Sequence, residues 1–318
     1  MITPIFLHYL SVALPIALGV IGGGIGLGIA VTGSQKAFDR QPMGRDTNFR
    51  AMIIGLALIE SGTVIALVIS LLMLFSAPKE ISLGIALAEL GAALAVGFAC
   101  ATSSIASSFA VKSSAESITR QPSMGQKILT LMLVCQSLIE AIVVFAFIIA
   151  LLIRANIHEA LSITEGVKLF AAGLVIALGS IGPSIGQAIF TNTACKSAGL
   201  NKHAYSKIFP FTFFSATMIE TAMIFCLLFA LIILYTPIHV IDPTVQTIKF
   251  VIAAFTIGLG SIGTAVGLGY VTAKSSEQIT NNPENYTVIL RSTLLAIAFI
   301  ESSVIYALII ALLLIMKV

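Results

Sequence analysis

The chain has 318 residues, 58% of them hydrophobic and 10% charged, with a mean hydropathy of +1.06. An ordinary soluble domain carries about 25% charged residues, so this composition excludes a water-covered globule and implies an integral membrane protein. The net charge of +3 is too small to suggest a nucleic-acid partner.

Apolar runs long enough to cross a bilayer, which takes ~20 residues, are predicted at about 8–35, 51–77, 81–111, 128–153, 167–195, 208–236, 245–273 and 288–316. They fall into four pairs, with predicted boundaries at 1–78, 79–156, 157–237 and 238–318. The expected fold is therefore all-α, with eight transmembrane helices arranged as four hairpins. Met1 to Val20 has no charged leader segment and reads as the start of the first helix.

The first helix carries Gly22-Gly23-Gly24-Ile25-Gly26-Leu27-Gly28. Small residues let membrane helices approach closely. Asp39-Arg40-Gln41-Pro42-Met43-Gly44 then reads as a turn. The second pair uses alanine and serine for its thin stretch, including Gly97, Ser103, Ser104 and Ser107, and turns at Arg120-Gln121-Pro122. The third carries Gly179, Gly182, Gly186 and Gln187, and its turn, Gly199-Leu200-Asn201-Lys202-His203, lacks the Arg-Gln-Pro pattern. The fourth carries Gly258, Gly260, Gly263, Gly267 and Gly269 and turns at Asn281-Asn282-Pro283. Gly258 to Gly263 spells a dinucleotide fingerprint, but inside an apolar helix and after no strand, so it is packing surface.

Each second helix holds one carboxylate in mid-run: Glu60, Glu140, Glu220 and Glu301, spaced by 80, 80 and 81 residues. A charge at membrane depth costs at least ~3 kcal/mol, which makes an ionisable residue there a functional candidate. No Lys, Arg or His stands at a helix centre to neutralise them. Each must hold a proton, hold a cation, or meet a cation on another subunit. Burial favours the neutral carboxyl, which suits a carrier of single protons. Sodium needs more oxygens. Ser61, Thr221 and Ser302, Ser107 and the amide of Gln187 are the candidates, but Ala141, Leu27 and Leu268 offer none, so protons are favoured over Na+. Counting along the helices from each turn at ~1.5 Å per residue places Leu27, Ser107, Gln187 and Leu268 opposite Glu60, Glu140, Glu220 and Glu301 of their own hairpins. The same counting puts Glu89 at the outer interface as a solvated anchor.

Twelve Lys and Arg flank the four intra-pair turns and five, including Lys79 and Lys317, lie at the other side. The positive-inside rule places the turns in the cytoplasm and the termini outside. Cys100, Cys135, Cys195 and Cys226 show no metal-ligand or paired spacing and read as apolar filler.

A glycine-rich first helix, a basic Arg-Gln-Pro turn and a second helix with one mid-membrane Glu resemble the proteolipid, or c subunit, of the rotary F-type ATP synthase. Arg40-Gln41-Pro42 with Glu60 and Arg120-Gln121-Pro122 with Glu140 match closely; Asn282-Pro283 with Glu301 matches moderately; the third turn departs. The resemblance implies a lipid-embedded ring of hairpins in an energy-transducing membrane, such as a bacterial inner membrane. First helices stand inside and ion-binding glutamates near the outer face. It also implies a stator subunit with an essential arginine, and central-stalk subunits touched by Arg40, Gln41, Pro42, Arg120, Gln121, Pro122, Asn282 and Pro283. The chain would carry H+, alternatively Na+, without catalysis or a bound cofactor. V-type proteolipids are similar, but typically lose the carboxylate from some copies. A repeat-built secondary transporter is the distant rival; its single substrate site would not need four matched carboxylates.

Overall fold

The computed structural model describes residues 3–76, 80–159, 161–238 and 243–316. Met1, Pro78, Lys79, His239, Asp242 and Lys317 lie outside the described residues. The helices are α1 (Pro4–Arg40), α2 (Arg45–Phe75), α3 (Leu83–Arg120), α4 (Gly125–Ala155), α5 (Ile163–Leu200), α6 (Tyr205–Tyr235), α7 (Pro243–Asn281) and α8 (Tyr286–Met316). The inner helices run well beyond their predicted apolar spans. A 38-residue helix such as α3 is about 57 Å long, against ~30 Å of hydrocarbon. The extra turns come from polar ends, such as Ser113 to Arg120 of α3, that continue the helix outside the apolar stretch.

Helix starts opposite the turns are capped by side chains. Thr3 Oγ1 accepts from Phe6 N, and Ser82 Oγ accepts from Ile85 N. Ser162 and Glu165 form a reciprocal capping box. These caps satisfy amides that the first helical turn leaves without partners.

The four turns share one backbone geometry. Gly44 N donates to Gln41 O (3.4 Å), Met124 N to Gln121 O (3.0 Å), Ala204 N to Asn201 O (3.2 Å) and Asn285 N to Asn282 O (3.1 Å). In three of them a proline follows the first residue and presets the turn. The third has Lys202 there, and Asn201 takes over: its Oδ1 accepts from His203 N at 3.0 Å, the local bond by which asparagine builds turns. Its Nδ2 also donates to Thr280 O at 2.9 Å, across to α7.

The odd helices form an inner layer, α1 to α3 to α5 to α7, and pack far more extensively on one another than the even helices do. Each even helix packs on its own inner helix, and α2, α4 and α6 pack also on the inner helix of the next hairpin. Two concentric arcs have this arrangement, since the outer one is longer. Missing side chains set the inner spacing. A methyl group on Gly22 would meet the Ala101 backbone, one on Gly173 the Gly91 backbone, and one on Gly182 the Ile262 backbone at 2.5 Å. The central helices α3 and α5 are largely buried, whereas α1 with α2 and α7 with α8 leave two open edges.

Candidate ion-binding sites

The outer helices carry the four glutamates to one level of the repeat, but not into one environment. Glu60, on the open α2 edge, is exposed, Glu140 and Glu301 are half-buried, and Glu220 is 7% exposed. Among the described residues, none of the four makes an ion pair. The same residues contain no cluster of three or more His, Cys, Asp or Glu that could hold a metal ion.

Hydroxyl partners of two of the glutamates arrive from the preceding hairpin. Ser61 Oγ lies 2.9 Å from Glu140 Oε2 and 2.6 Å from Leu58 O. Thr221 Oγ1 lies 2.8 Å from Glu301 Oε1 and 2.6 Å from Met218 O. The hydroxyl one residue after a glutamate therefore serves the glutamate of the next repeat. Pairing each glutamate with its own hairpin misses this, because helical counting fixes depth and not which neighbour the α2 or α6 flank touches. Ala141 occupies the same place on α4 and offers no hydroxyl; Glu220 Oε1 is a buried acceptor without a donor among the described residues. Ser302 holds its Oγ 2.7 Å from Phe299 O, like its counterparts, with no carboxyl in reach among the described residues.

The residues expected opposite the glutamates form a separate layer one turn away. Ser107 Oγ accepts from Gln136 Nε2 at 2.9 Å, not from Glu140. Gln136 also donates to Gly55 O at 3.1 Å and is fully buried. An amide one turn before Glu140 in an apolar run is a signal that counting from the turns passes over. Gln187 Nε2 donates to Ala216 O at 2.8 Å, one turn before Glu220, and its Oε1 is without a donor among the described residues. The polar layer is thus Ser107 with Gln136 in the second hairpin and Gln187 with a backbone carbonyl in the third. Leu27 with Leu56 and Leu268 with Ile297 take these places in the others.

Glu89 is corrected by the structure. It is fully buried in the inner layer, where His8 Nδ1 of α1 lies 2.6 Å from its Oε2. A helical count gives its distance along α3, but the pairing needs the α1–α3 contact, which no single-helix count supplies.

At the turn end, Arg40 and Arg120 close α1 and α3 and are exposed. Their charges suit the negative end of the helix dipole. Pro42 and Asn282 are exposed, while Gln41, Gln121, Pro122 and Pro283 are half-buried.

A hairpin with this architecture repeats four times, and comparison with known proteins matches it four times. The model of the ATP synthase c subunit family matches residues 10–73, 90–153, 170–233 and 251–314. This chain belongs to that family. Relatives include the ATP synthase c subunit of Geotalea uraniireducens, 42% identical over 78 residues, which are 24% of this chain and 86% of that protein. The ATP synthase c subunit of Citrifermentans bemidjiense is 41% identical over 78 residues, 24% of this chain and 86% of that protein. That of Synechococcus sp. (strain PCC 6716) is 41% identical over 73 residues, 23% of this chain and 89% of that protein. Each relative is about one hairpin long; this chain joins four of them. It is a multi-pass membrane protein of the family whose members are ion-translocating rotor proteolipids.

Proposed function

We propose that this chain carries protons on Glu60, Glu140, Glu220 and Glu301, one per hairpin, as the rotor proteolipid of a rotary ATP synthase, and is itself non-catalytic. One observation carries the choice of ion. Ser61 Oγ has a single hydrogen but two acceptor oxygens within bonding distance, Leu58 O and Glu140 Oε2. Both contacts are hydrogen bonds when the carboxyl itself carries a proton: Glu140 donates to Ser61 Oγ, and Ser61 donates to Leu58 O. Thr221, Met218 and Glu301 repeat the arrangement.

The oxygen inventory supports the same reading against sodium. The Gln187 amide belongs to the layer beside Glu220, but the hydroxyl position preceding Glu220 is Ala141. Thr221, on the same hairpin as Gln187, serves Glu301 instead. Among the described residues, no pair of hairpins therefore brings carboxyl, hydroxyl and Gln187 together.

On this reading the neutral carboxyls travel through lipid and give up the proton beside the arginine of a stator subunit. The turns, which the excess of Lys and Arg puts in the cytoplasm, face the central stalk. Carbodiimide modification of the membrane-embedded complex, mapped by mass spectrometry, tests the proposal. All four glutamates should react, faster at lower pH. Protection by millimolar sodium would replace H+ by Na+; four unreactive carboxyls would overturn the ion-carrier reading.

A further inference from the structure

We propose that the cleft between α1 and α3 at the turn end binds a phosphate-bearing anion, held by Lys36, Arg40, Lys112 and Arg120. This site is separate from the glutamate layer and does not depend on the ion carried there.

The four cations line one cavity of about 280 Å³, whose walls come from α1 and α3 only. α3 is flanked by α1 and α5 and covered by α2 and α4, which leaves the concave side of the arc as its open face. Gly33 lets the stem of Lys112 lie against α1: a methyl group there would stand 2.6 Å from its Cγ. Topology alone asks for positive charge near the turns. It does not ask for charges from two helices to converge in a cleft. Lys112 stands eight residues before Arg120, about 12 Å from the end of α3, and is half-buried.

These cations have no paired counter-charge. The one carboxylate in the cavity wall is Glu116, and its Oε2 lies 3.8 Å from Lys196 Nζ of α5. Among the described residues, no carboxylate forms an ion pair with Lys36, Arg40, Lys112 or Arg120. The hydroxyls of Thr32 and Thr119, also in the wall, donate to Gly28 O (2.9 Å) and Ala115 O (2.8 Å). The cations are thus the groups left to hold a ligand. Four like charges around one small cavity repel one another until an anion joins them. Phosphate suits the set, since guanidinium groups bind its oxygens in pairs and ammonium groups bind it as point charges. Basic pockets between transmembrane helices hold phosphate-bearing headgroups in membrane proteins generally.

The other junctions of the inner arc lack the arrangement. Between α3 and α5, the places of Lys36, Lys112 and Arg120 are taken by Glu116, Asn192 and Leu200. Asn192 Oδ1 there lies 2.8 Å from Ser113 Oγ, so the polar groups satisfy each other. Between α5 and α7, the places of Arg40, Lys112 and Arg120 are taken by Leu200, Ala273 and Asn281. The cationic cleft therefore belongs to the first two hairpins and is not a property of the repeat.

Lysine footprinting tests the site. The full chain in phosphatidylcholine nanodiscs, without stalk subunits, is acylated by an uncharged amine reagent and read residue by residue by mass spectrometry. Lys202, exposed on the third turn, is the standard. Inorganic phosphate, or phosphatidylglycerol in place of part of the lipid, should slow acylation of Lys36 and Lys112 but not of Lys202. Protection by inorganic phosphate identifies a soluble anion; protection by phosphatidylglycerol alone identifies a lipid headgroup. K112Q should raise the half-protecting amount of the effective probe at Lys36 by roughly tenfold, the scale of one hydrogen bond to a charged group. K36Q, at an exposed position, gives the reciprocal reading at Lys112. Protection by neither probe, equal protection by sodium chloride at matched ionic strength, or equal slowing at Lys202 overturns the proposal. Protection that appears only with stalk subunits bound makes the cleft a protein contact and overturns it too. The rotor reading is untouched by any of these results, because it is read from carbodiimide chemistry at the glutamates.

Discussion

At the residue scale, four identical carboxyls have four different surroundings. The difference lies in one neighbouring side chain each: Ser61 for Glu140, Ala141 for Glu220, Thr221 for Glu301, and none from a preceding repeat for Glu60. Ser61→Ala should therefore alter the carbodiimide rate at Glu140 and Thr221→Val that at Glu301, each by roughly threefold or more, with Glu220 unchanged in both. A uniform response of all four sites would show that the hydroxyls act on the ring as a whole. The buried His8–Glu89 pair belongs to the same scale. Removing one partner of a buried pair typically costs about 3–5 kcal/mol, because the other is left alone. His8→Ala should lower the unfolding midpoint of the detergent-solubilised protein by far more than the combined His8→Ala and Glu89→Ala change, measured by circular dichroism.

At the element scale, each hairpin is a long small-residue helix, a three-residue turn and a shorter, bulkier helix. The third turn keeps the geometry of the others with different chemistry: Asn201 replaces the preset of proline with a bond to His203 N. Asn201→Ala should destabilise the protein by about 2 kcal/mol, at about 1 kcal/mol for each of its two hydrogen bonds, to His203 N and to Thr280 O, with Pro42→Ala in the first turn affecting only its own hairpin. Hydrogen exchange at the turns would locate each effect. The glycines of the inner helices set the interaxial distance, so Gly22→Leu has no space beside Ala101 and should prevent a folded chain.

At the scale of the whole molecule, fusion changes what the repeat can be. Hairpins encoded once and assembled as separate copies are identical; tethered ones need not be. Here Glu140 and Glu301 each have a hydroxyl from the preceding hairpin, while Ala141 offers Glu220 none. Replacing all four glutamates by glutamine should abolish proton-driven rotation, read as ATP synthesis in energised vesicles. A single Glu→Gln change puts a neutral amide at one of the four carrier positions of this chain and should already reduce the rate, since that amide must pass the stator on each cycle. Full activity in the fourfold variant would contradict the carrier role.

The eight spans, the four hairpins and the spacing of Glu60, Glu140, Glu220 and Glu301 follow from hydropathy and period alone, because a bilayer enforces helices and makes a buried charge conspicuous. Depth was legible only to about one turn: counting at a fixed rise put Ser107 and Gln187 opposite Glu140 and Glu220, whereas they meet Gln136 and Ala216, one turn before them. What the sequence could not decide is lateral: which flank of α2 touches which neighbour, that Ser61 serves Glu140 and not Glu60, that Gln136 captures Ser107, and that Glu89 turns inward to His8. Those depend on helix rotation and on the order of helices around the arc. Both are set by glycine contacts between segments some 80 residues apart, which only the packed tertiary structure brings together.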